Sequence, residues 1–369
     1  MIESGTMEIQ AAVARKAHGD FTVETVKLAD LAPDEVLVRM VATGVCHTDL
    51  SVVEGILPLP LPLVPGHEGA GVIERVGADV RGLAPGDPVV LTFSSCGECP
   101  SCTDNHPAYC DHYAALNFAT RRPDGSATLS DASGHALGGV FFSQSSFATY
   151  AIATPKNIVK VRADAPLALL GPLGCGLSTG AGTVFNVLKP TPDTTLAVVG
   201  AGALGMAAIM AAKILGVRRI VALDRVASRL DLARELGASD TIDTLAQDPA
   251  EALAALGGID QAIDTSGVPR LIEAAVGALR TRGTCVLLGA SAQTDLHLNV
   301  MQMIGGKSVR GVVNGDCEPG ELIPKLIDLH MEGRFPMERL VDYYPLRDIN
   351  RAVADSRSGR VIKPIVTFE

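Results

Sequence analysis

Four cysteines within fifteen residues constrain this chain more than any other feature of its sequence. Cys96, Cys99, Cys102 and Cys110 lie in the segment Cys-Gly-Glu-Cys-Pro-Ser-Cys, followed by seven residues and the last cysteine. Four thiolates at this spacing can surround one tetrahedral Zn²⁺ at Zn–S distances of about 2.3 Å. Because four sulfur ligands fill the coordination sphere, such a site holds a loop in shape and leaves no position for a substrate. We therefore expect a structural zinc here and look for any catalytic metal elsewhere.

The alternative interpretation of the four cysteines is two disulfides. Disulfide frameworks are typical of small secreted domains, whereas this chain has 369 residues. Its start, Met-Ile-Glu-Ser-Gly-Thr, has no basic segment followed by an apolar stretch, which a secretory signal requires. Met7 is an alternative native start, with residues 1–6 as an extension. We expect a reducing, cytoplasmic compartment.

Length and composition predict a globular enzyme of two domains. The chain exceeds what one hydrophobic core holds, and 47% hydrophobic with 20% charged residues argues against disorder. A net charge of −10 excludes the basic face of a duplex nucleic-acid binder, and we expect neither a nucleic-acid nor a membrane partner. The uncharged stretch 196–212 is shorter than the about 20 residues of a membrane span, and its glycines divide it into a strand, a turn and a helix.

The sequence pattern changes near Gly176. Before it, short β-branched runs alternate with turn residues, which predicts a β-rich domain with strands near 35–41, 71–76, 88–93 and 147–153. After it, apolar strands near 195–199, 219–223, 261–264, 284–288 and 308–312 alternate with helical segments, which predicts a parallel, doubly wound sheet. We predict an α/β chain in which residues 1–176 and 314–369 form one domain, with the cysteine lobe at about 94–112, and residues 177–313 form the other.

A glycine-rich turn in the second domain predicts a dinucleotide site. Gly200, Gly202 and Gly205 follow a predicted strand and open a predicted helix, with Leu204 inside the same turn. The phosphate charge would then face the helix N-terminus. Asp224 ends the next strand, where a carboxylate can bind the ribose hydroxyls and repel a 2′-phosphate, so NAD is favoured over NADP. The alternative for Asp224 is an ordinary turn aspartate. Arg225 and Arg229 lie nearby, and arginine can accept a 2′-phosphate, which would favour NADP. Arg229 is also a candidate to cover the adenosine.

Three further metal-capable residues lie beside glycines on predicted turns. Cys46, His67 and Cys175 together offer two thiolates and one imidazole, which would leave one open position on a catalytic zinc. Taken singly, each has a simpler explanation, because a lone cysteine is most often a small buried apolar residue. We assign Cys285 and Cys317 to that class.

These segments resemble the zinc-dependent alcohol dehydrogenases of the medium-chain dehydrogenase/reductase family. The segment Gly66-His-Glu-Gly-Ala-Gly, five residues and a further glycine resembles the family's zinc signature, and the resemblance covers essentially the whole chain. It implies catalytic zinc ligands at Cys46, His67 and Cys175, a structural zinc on the four-cysteine lobe and an NAD site at the glycine turn and Asp224. The segments 41–50, 144–151 and 171–176 resemble the aryl-alcohol (benzyl-alcohol) dehydrogenase branch. The family joins a GroES-like catalytic domain to a Rossmann domain and forms homodimers or homotetramers through its Rossmann sheets.

The resemblance also implies roles in hydride transfer from an alcohol. Thr48 would start a proton relay, and many relatives end that relay with a histidine where this chain has Ser51. Serine has no group that titrates near neutral pH, so the proton must leave through the cofactor ribose, water or another base. His47 is a candidate base, although the family uses this position to contact the pyrophosphate. Glu68 would lie behind the zinc, and Asp49 would orient His67. Weaker parallels place Thr179 behind the nicotinamide and make Lys363 a phosphate contact.

The leading function is NAD-dependent oxidation of benzyl-type or allylic primary alcohols. Aromatic walls suit a flat apolar substrate, and the pocket candidates, for which ordinary core packing is the alternative, are Leu57, Phe93, Phe118, Phe141 and Phe142. A dehydrogenase for glutathione-conjugated formaldehyde would need an anion-binding cluster, for which Arg121 and Arg122 are the local candidates. A polyol dehydrogenase is disfavoured, because that branch commonly replaces the third zinc ligand, whereas Cys175 is present here. Zinc-free quinone reductases share the fold but lack both sets of cysteines. A non-catalytic zinc- and nucleotide-binding protein is the alternative outside the enzymes.

Overall fold

The computed structural model describes residues 7–289 and 295–368, which divide into two units. The first unit contains the described residues up to Cys175, together with Glu318–Asp328 and the residues from Met337 onward. The second contains the described residues of Gly176–Cys317, together with Leu329–Pro336.

The N-terminal segment of the first unit is rich in short strands. They are β1 Met7–Ala14, β2 Phe21–Leu28, β3 Val36–Gly44, β4 Gly69–Val76, β5 Pro88–Leu91, β6 Leu129–Ser130, β7 Ala136–Leu137, β8 Tyr150–Ala153 and β9 Ile158–Lys160. Its helices are short: α1 His47–Val53, α2 Pro100–Thr103, α3 Tyr113–Asn117 and α4 Leu167–Leu170. One sheet has the order β1-β2-β6-β7, and its apolar face packs around buried residues such as Phe21, Val26 and Phe147.

The second unit is built on six parallel strands. They are β10 Thr195–Val199, β11 Arg219–Asp224, β12 Asp240–Asp243, β13 Ile259–Asp264, β14 Leu279–Leu287 and β15 Ser308–Gly311. The helices are α5 Gly176–Gly182, α6 Ala203–Ile214, α7 Ala227–Leu236, α8 Pro249–Ala255, α9 Pro269–Ala278 and α10 Val300–Ile304. The sheet order β12-β11-β10-β13-β14-β15 is the 3-2-1-4-5-6 order of a doubly wound dinucleotide-binding sheet.

The C-terminal segment carries α11 Pro319–Met331, β16 Val341–Pro345, α12 Ile349–Arg357 and β17 Lys363–Thr367. Strand β17 pairs antiparallel with β3, so the larger sheet of the first unit has the order β16-β17-β3-β4-β5-β9, with β8 paired to β3. The single-turn 3₁₀ helices lie at Pro107–Tyr109, Phe141–Ser143, Pro155–Asn157, Gly171–Gly174, Asn314–Asp316, Met337–Leu340 and Leu346–Asp348, and a π-helical segment lies at Thr183–Leu188.

The predicted change from a β-rich to an alternating α/β pattern is confirmed. Strand β12 was not among the predicted strands of the parallel sheet, because its four residues Asp-Thr-Ile-Asp carry a single buried apolar side chain, Ile242. Helices α8 and α10 were likewise not predicted. In residues 7–289 and 295–368 no single helix is long and apolar enough to cross a membrane; only the consecutive pair Leu167–Gly174 and Gly176–Leu188, taken together, reaches the length and composition of a broken span. The uncharged stretch 196–212 forms β10, a glycine turn and most of α6.

Candidate active site

Three turns of the first unit bring the predicted catalytic ligands together. Cys46 is the N-cap of α1, His67 immediately precedes β4, and Cys175 ends the 3₁₀ turn Gly171–Gly174. One ligand atom from each of Cys46, His67, Glu68 and Cys175 lies within 4.8 Å of all the others. Gly171 permits this approach, because a Cβ there would overlap the carbonyl oxygen of Glu68.

Asp49 fixes the orientation of the His67 ring. Its carboxylate accepts hydrogen bonds from the backbone N–H groups of Cys46 and Gly66, both at 3.0 Å, and lies 2.7 Å from His67 Nδ1. Burial alone would lower the pKa of His67, but the negative charge of Asp49 raises it well above its usual value. Because Nδ1 faces Asp49, Nε2 is the nitrogen left for a ligand, and this buried atom has no hydrogen-bond partner among the described residues.

The two thiols of the cluster perturb each other's pKa in opposite directions. A hydrogen bond from Cys175 lowers the pKa of Cys46 well below its usual value, with a further contribution from the positive charge of Lys363. The same hydrogen bond and burial raise the pKa of Cys175. Two sulfurs and an oriented imidazole nitrogen fit Zn²⁺ with one remaining position.

Glu68 and Lys363 form a buried ion pair beside these ligands. Lys363 Nζ donates to both carboxylate oxygens of Glu68 at 2.9 Å and to the carbonyl oxygen of Val45 at 3.1 Å. Burial raises the pKa of Glu68 to about 7, against the opposing charge of Lys363. Strand β17 carries the Lys363 side chain into the interior, where it is 5% exposed. The phosphate contact expected for Lys363 stays a prediction.

The four-cysteine segment forms a second cluster. The sulfur atoms of Cys96, Cys99, Cys102 and Cys110 all lie within 4.8 Å of one another. Backbone N–H groups donate to three of these sulfurs at 3.3–3.4 Å: Cys96 N to Cys110, Cys99 N to Cys96, and Asp111 N to Cys99. Such amides lower the pKa of Cys96 to about 6, whereas burial raises that of Cys102 to about 12. Four convergent sulfurs fit a closed tetrahedral zinc site.

The five predicted pocket residues belong to one apolar cluster that contacts His67. Phe93, Phe141 and Phe142 are buried, and Leu57 and Phe118 pack against them half-buried. The Phe142 ring stacks on His67 with centroids 4.6 Å apart and planes at 28°. Phe142 holds a left-handed φ of 49°, which is unusual for a bulky residue and places its ring on the imidazole. The cluster also contains residues that were not predicted from the sequence: Val52, Leu59, Leu61, Leu63, Ala108, Tyr109 and Tyr113.

The relay candidates lie on α1. The Thr48 hydroxyl is 3.9 Å from the sulfur of Cys46, and His47 is exposed. Ser51 donates its hydroxyl proton to the carbonyl oxygen of His47 at 2.9 Å.

The glycine turn of the second unit has the expected local geometry. Gly200 has a φ of 94°, and a Cβ on Gly205 would overlap the Gly200 carbonyl oxygen, so both positions require glycine. Gly202 is the N-cap of α6, and Leu204 lies half-buried in its first turn. The Asp224 carboxylate ends β11 and accepts a hydrogen bond from Ala201 N at 2.7 Å, which ties it to the turn.

Asp224 also accepts hydrogen bonds from the backbone N–H groups of Arg225 and Val226, so it has the contacts of a turn aspartate as well. Arg229 lies half-buried in the first turns of α7, and Thr179 is buried in α5. Nothing in the described residues assigns either of them a cofactor contact, and both stay predictions.

Gln144 is a supporting residue that the sequence analysis did not assign. Its amide donates to the carbonyl oxygens of His67 at 3.1 Å and Thr92 at 3.2 Å, and accepts from Gly69 N at 3.1 Å. These bonds fix the backbone on both sides of Glu68. The sequence signal for it is its place at the start of the segment 144–151, which carries part of the family resemblance.

The two thiols, the imidazole and the parallel sheet with its glycine turn define a zinc-binding dehydrogenase fold. The model of the alcohol dehydrogenase GroES-like domain matches residues 32–163, and that of the zinc-binding dehydrogenases matches residues 203–331. Geraniol dehydrogenase of Castellaniella defragrans is 43% identical over 366 residues, which cover 97% of each chain.

Two solved structures are similar over the whole chain. An alcohol dehydrogenase zinc-binding domain protein from Burkholderia ambifaria has 48% identity and a TM-score of 0.96, covering 99% of this chain and 100% of that one. Benzyl alcohol dehydrogenase from Acinetobacter calcoaceticus has 42% identity and a TM-score of 0.94, with coverages of 98% and 100%. The chain therefore belongs to the zinc-dependent alcohol dehydrogenases of the medium-chain dehydrogenase/reductase family. The predicted family and the predicted GroES-like and Rossmann fold class are confirmed.

Proposed function

We propose that this chain oxidises primary aromatic or allylic alcohols to aldehydes, reversibly, with NAD as hydride acceptor. The observation that carries the proposal is the cluster of Cys46, His67 and Cys175 with an aromatic ring stacked on its imidazole. The names of the geraniol and benzyl alcohol dehydrogenases point to the same substrate class.

The residues of the first unit have separate tasks in this reaction. Cys46, His67 and Cys175 would hold a zinc ion, which supplies Lewis acidity that makes an alcohol hydroxyl more acidic. The Thr48 hydroxyl would accept the substrate's hydroxyl proton and pass its own proton on. Bound NAD would supply the hydride acceptor. Ser51 cannot titrate near neutral pH, so the proton would leave through the cofactor ribose, water or another base. For His47 we prefer a contact with the cofactor pyrophosphate over the role of terminal base. Glu68 would lie behind the metal.

The second unit would bind NAD at Gly200, Gly202, Leu204 and Gly205. The open end of α6 suits the pyrophosphate charge. Asp224, already held to the turn through Ala201 N, would use its remaining acceptor capacity on the adenosine ribose. Arg229 and Thr179 would complete the site at the adenosine and nicotinamide ends. We retain 177–313 as the NAD-binding domain and 1–176 with 314–369 as the catalytic domain.

Replacing Asp224 tests the choice of cofactor. We expect the native protein to prefer NAD over NADP by at least about 100-fold in kcat/KM, because a 2′-phosphate beside a carboxylate costs several kcal/mol. Asp224→Ser should reduce this preference at least about tenfold. The control Asp231→Ser removes the same charge from an exposed position on α7 and should leave the preference unchanged. Equal native efficiency with both cofactors would overturn the role of Asp224.

Phe118 tests the aromatic wall. Its ring meets Phe142 edge-on, with centroids 5.4 Å apart, at the half-buried side of the cluster. We expect Phe118→Leu to lower kcat/KM for benzyl and cinnamyl alcohols about tenfold relative to straight-chain alcohols, because the edge and face contacts are lost. Phe21→Leu changes the same residue type in the separate Phe21–Phe147 pair and should affect all alcohols equally. An equal effect of the two variants would assign Phe118 to core packing.

The alternative of glutathione-conjugated formaldehyde has less support. Arg122 gives its guanidinium to both carboxylate oxygens of Glu35 at 2.7 Å and to the carbonyl oxygen of Asp30 at 2.8 Å. Arg122 would have to break these bonds to bind an anion. Of the two candidates, this leaves Arg121, which is exposed. A non-catalytic zinc- and nucleotide-binding protein would show no NADH formation in a screen of benzyl, cinnamyl, geranyl and straight-chain alcohols.

We propose further that the active molecule is a homodimer or homotetramer of cytoplasmic chains. Strand β15 is the last strand of its sheet, and the neighbouring helix α10 exposes Val300, Met301 and Ile304, each by 70% or more. An unpaired strand edge beside an apolar surface suits association with a second copy. The cytoplasmic assignment rests on two thiolate sites, which need reduced cysteines.

A further inference from the structure

The Glu68 carboxylate lies close enough to the three proposed ligands to compete with the substrate. One of its oxygens is within 4.8 Å of the ligand atoms of Cys46, His67 and Cys175. Carboxylates bind zinc at about 2.0–2.2 Å, so a small side-chain movement would supply a fourth ligand. A site filled in this way would have no position for an alcohol.

Lys363 holds this carboxylate where it is. Both oxygens of Glu68 accept from the same ammonium at 2.9 Å, and a third bond at 3.1 Å fixes the ammonium to the carbonyl oxygen of Val45. The side chains are 5% and 0% exposed, so water does not compete for either partner. Removing one charge of a buried pair leaves the other without compensation, at a cost of several kcal/mol. A glutamate without Lys363 would therefore turn to the nearest cation.

Gly44 provides the space for the carboxylate. A Cβ at this position would overlap Glu68 Oε2, and Gly44 N donates to the Glu68 carbonyl oxygen at 3.0 Å. Gly44 ends β3, where β17 pairs with it through Ile365, two residues beyond Lys363. The pairing of β17 with β3 thus places the Lys363 ammonium and the space above Gly44 next to the same carboxylate, that of Glu68.

We propose that Lys363 is a positioning residue that, with the space at Gly44, keeps the Glu68 carboxylate off the ligand position left open by Cys46, His67 and Cys175. This inference rests on the proposed metal site. Two thiolates balance the charge of a divalent metal, and Lys363 balances Glu68 separately. The pair thereby keeps the centre neutral while leaving room for a neutral alcohol.

Cobalt(II) exchanged into the full-length protein tests the proposal without a turnover assay. Imidazole, a neutral nitrogen ligand, is titrated against the visible cobalt spectrum, and the spectrum of Cys46→Ser is subtracted to remove the four-cysteine site. We expect Lys363→Met to weaken imidazole binding at least about tenfold, in the range known for residues that support metal ligands. Lys363→Arg retains a cation and should bind imidazole within about threefold of the native protein.

The decisive arm is rescue by a second substitution. Lys363→Met combined with Glu68→Gln should restore native imidazole affinity, because a neutral amide is a poor zinc ligand and no longer needs the ammonium. A merely structural role for Lys363 predicts no such rescue. Unchanged affinity in Lys363→Met, or a double variant as weak as the single one, would overturn the proposal.

Gly44→Ala reaches the same carboxylate from the other side and decides the question if Lys363→Met does not fold. It should weaken imidazole binding like Lys363→Met and be rescued by Glu68→Gln, since the added methyl displaces the end of a flexible side chain. Full native affinity in Gly44→Ala contradicts the proposal. The unmodified protein separates the two claims: if it takes up no cobalt beyond that of Cys46→Ser, the proposed function itself fails.

Discussion

Cys46→Ser is expected to remove one of two zinc ions from each chain and to lower kcat/KM for benzyl alcohol at least about 1000-fold. The reason is that the metal supplies several kcal/mol of charge stabilisation, and each 1.36 kcal/mol is about a factor of ten in rate. The measurement combines elemental analysis of the purified protein with steady-state NADH formation.

Cys285→Ala is the matched control for that substitution. Cys285 is a fully buried thiol in β14 and belongs to neither cysteine cluster. The variant should keep two zinc ions per chain and native kcat/KM within about threefold. Retained activity in Cys46→Ser, with its metal content unchanged, would refute the catalytic assignment of the Cys46, His67 and Cys175 cluster.

Cys99→Ser is expected to remove the other zinc ion and to lower the thermal midpoint by about 10 °C. A closed four-sulfur site contributes folding free energy directly. For a domain of about 150–250 residues each kcal/mol of stability corresponds to about 2–4 °C, so a loss of several kcal/mol from the domain that carries the lobe gives a shift of this order. The lobe also contributes Ala108 and Tyr109 to the aromatic cluster, so the loss should spread to the His67 side of the unit.

The chelator response gives this second prediction its control. Prolonged incubation with a strong chelator should lower the thermal midpoint of the native protein. The midpoint of Cys99→Ser is already lowered, and the chelator should not lower it further. The variant should retain the zinc at Cys46, His67 and Cys175. An unaltered midpoint in Cys99→Ser would contradict a structural metal on the lobe.

The features that were predictable from sequence are local. The spacing of Cys96 to Cys110 and the glycine turn at Gly200 each lie within a few consecutive residues, so their geometry follows from short-range connectivity. The alternation of apolar strands and helices likewise predicted the parallel sheet, because its central strands β10 and β11 bury continuous apolar runs. Strand β12 was missed since its polar residues show neither signal.

The convergence of Cys46, His67 and Cys175 could not be derived from spacing. Their meeting depends on the pairing of β3 with β4 and on the close approach at Gly171, both set by tertiary packing. Their residue types and neighbouring glycines suggested a zinc site but left ordinary buried residues as the alternative, and the resemblance to a known family favoured the zinc site.

The ion pair of Lys363 could not be predicted from the family parallel. The resemblance predicted a phosphate contact, which stays a prediction, whereas the pairing of β17 with β3 places the ammonium on Glu68. The left-handed backbone at Phe142 is similar: nothing in a Phe-Phe-Ser sequence indicates that one ring will stack on His67. Such contacts arise from packing between segments that are distant in sequence.

Anomalous diffraction at the zinc absorption edge, from crystals of the native protein, tests the central claim most directly. The account predicts two anomalous peaks per chain, one enclosed by Cys96, Cys99, Cys102 and Cys110 and one bound by Cys46, His67 and Cys175. A single peak, confined to the four-cysteine lobe of zinc-replete crystals, would contradict it.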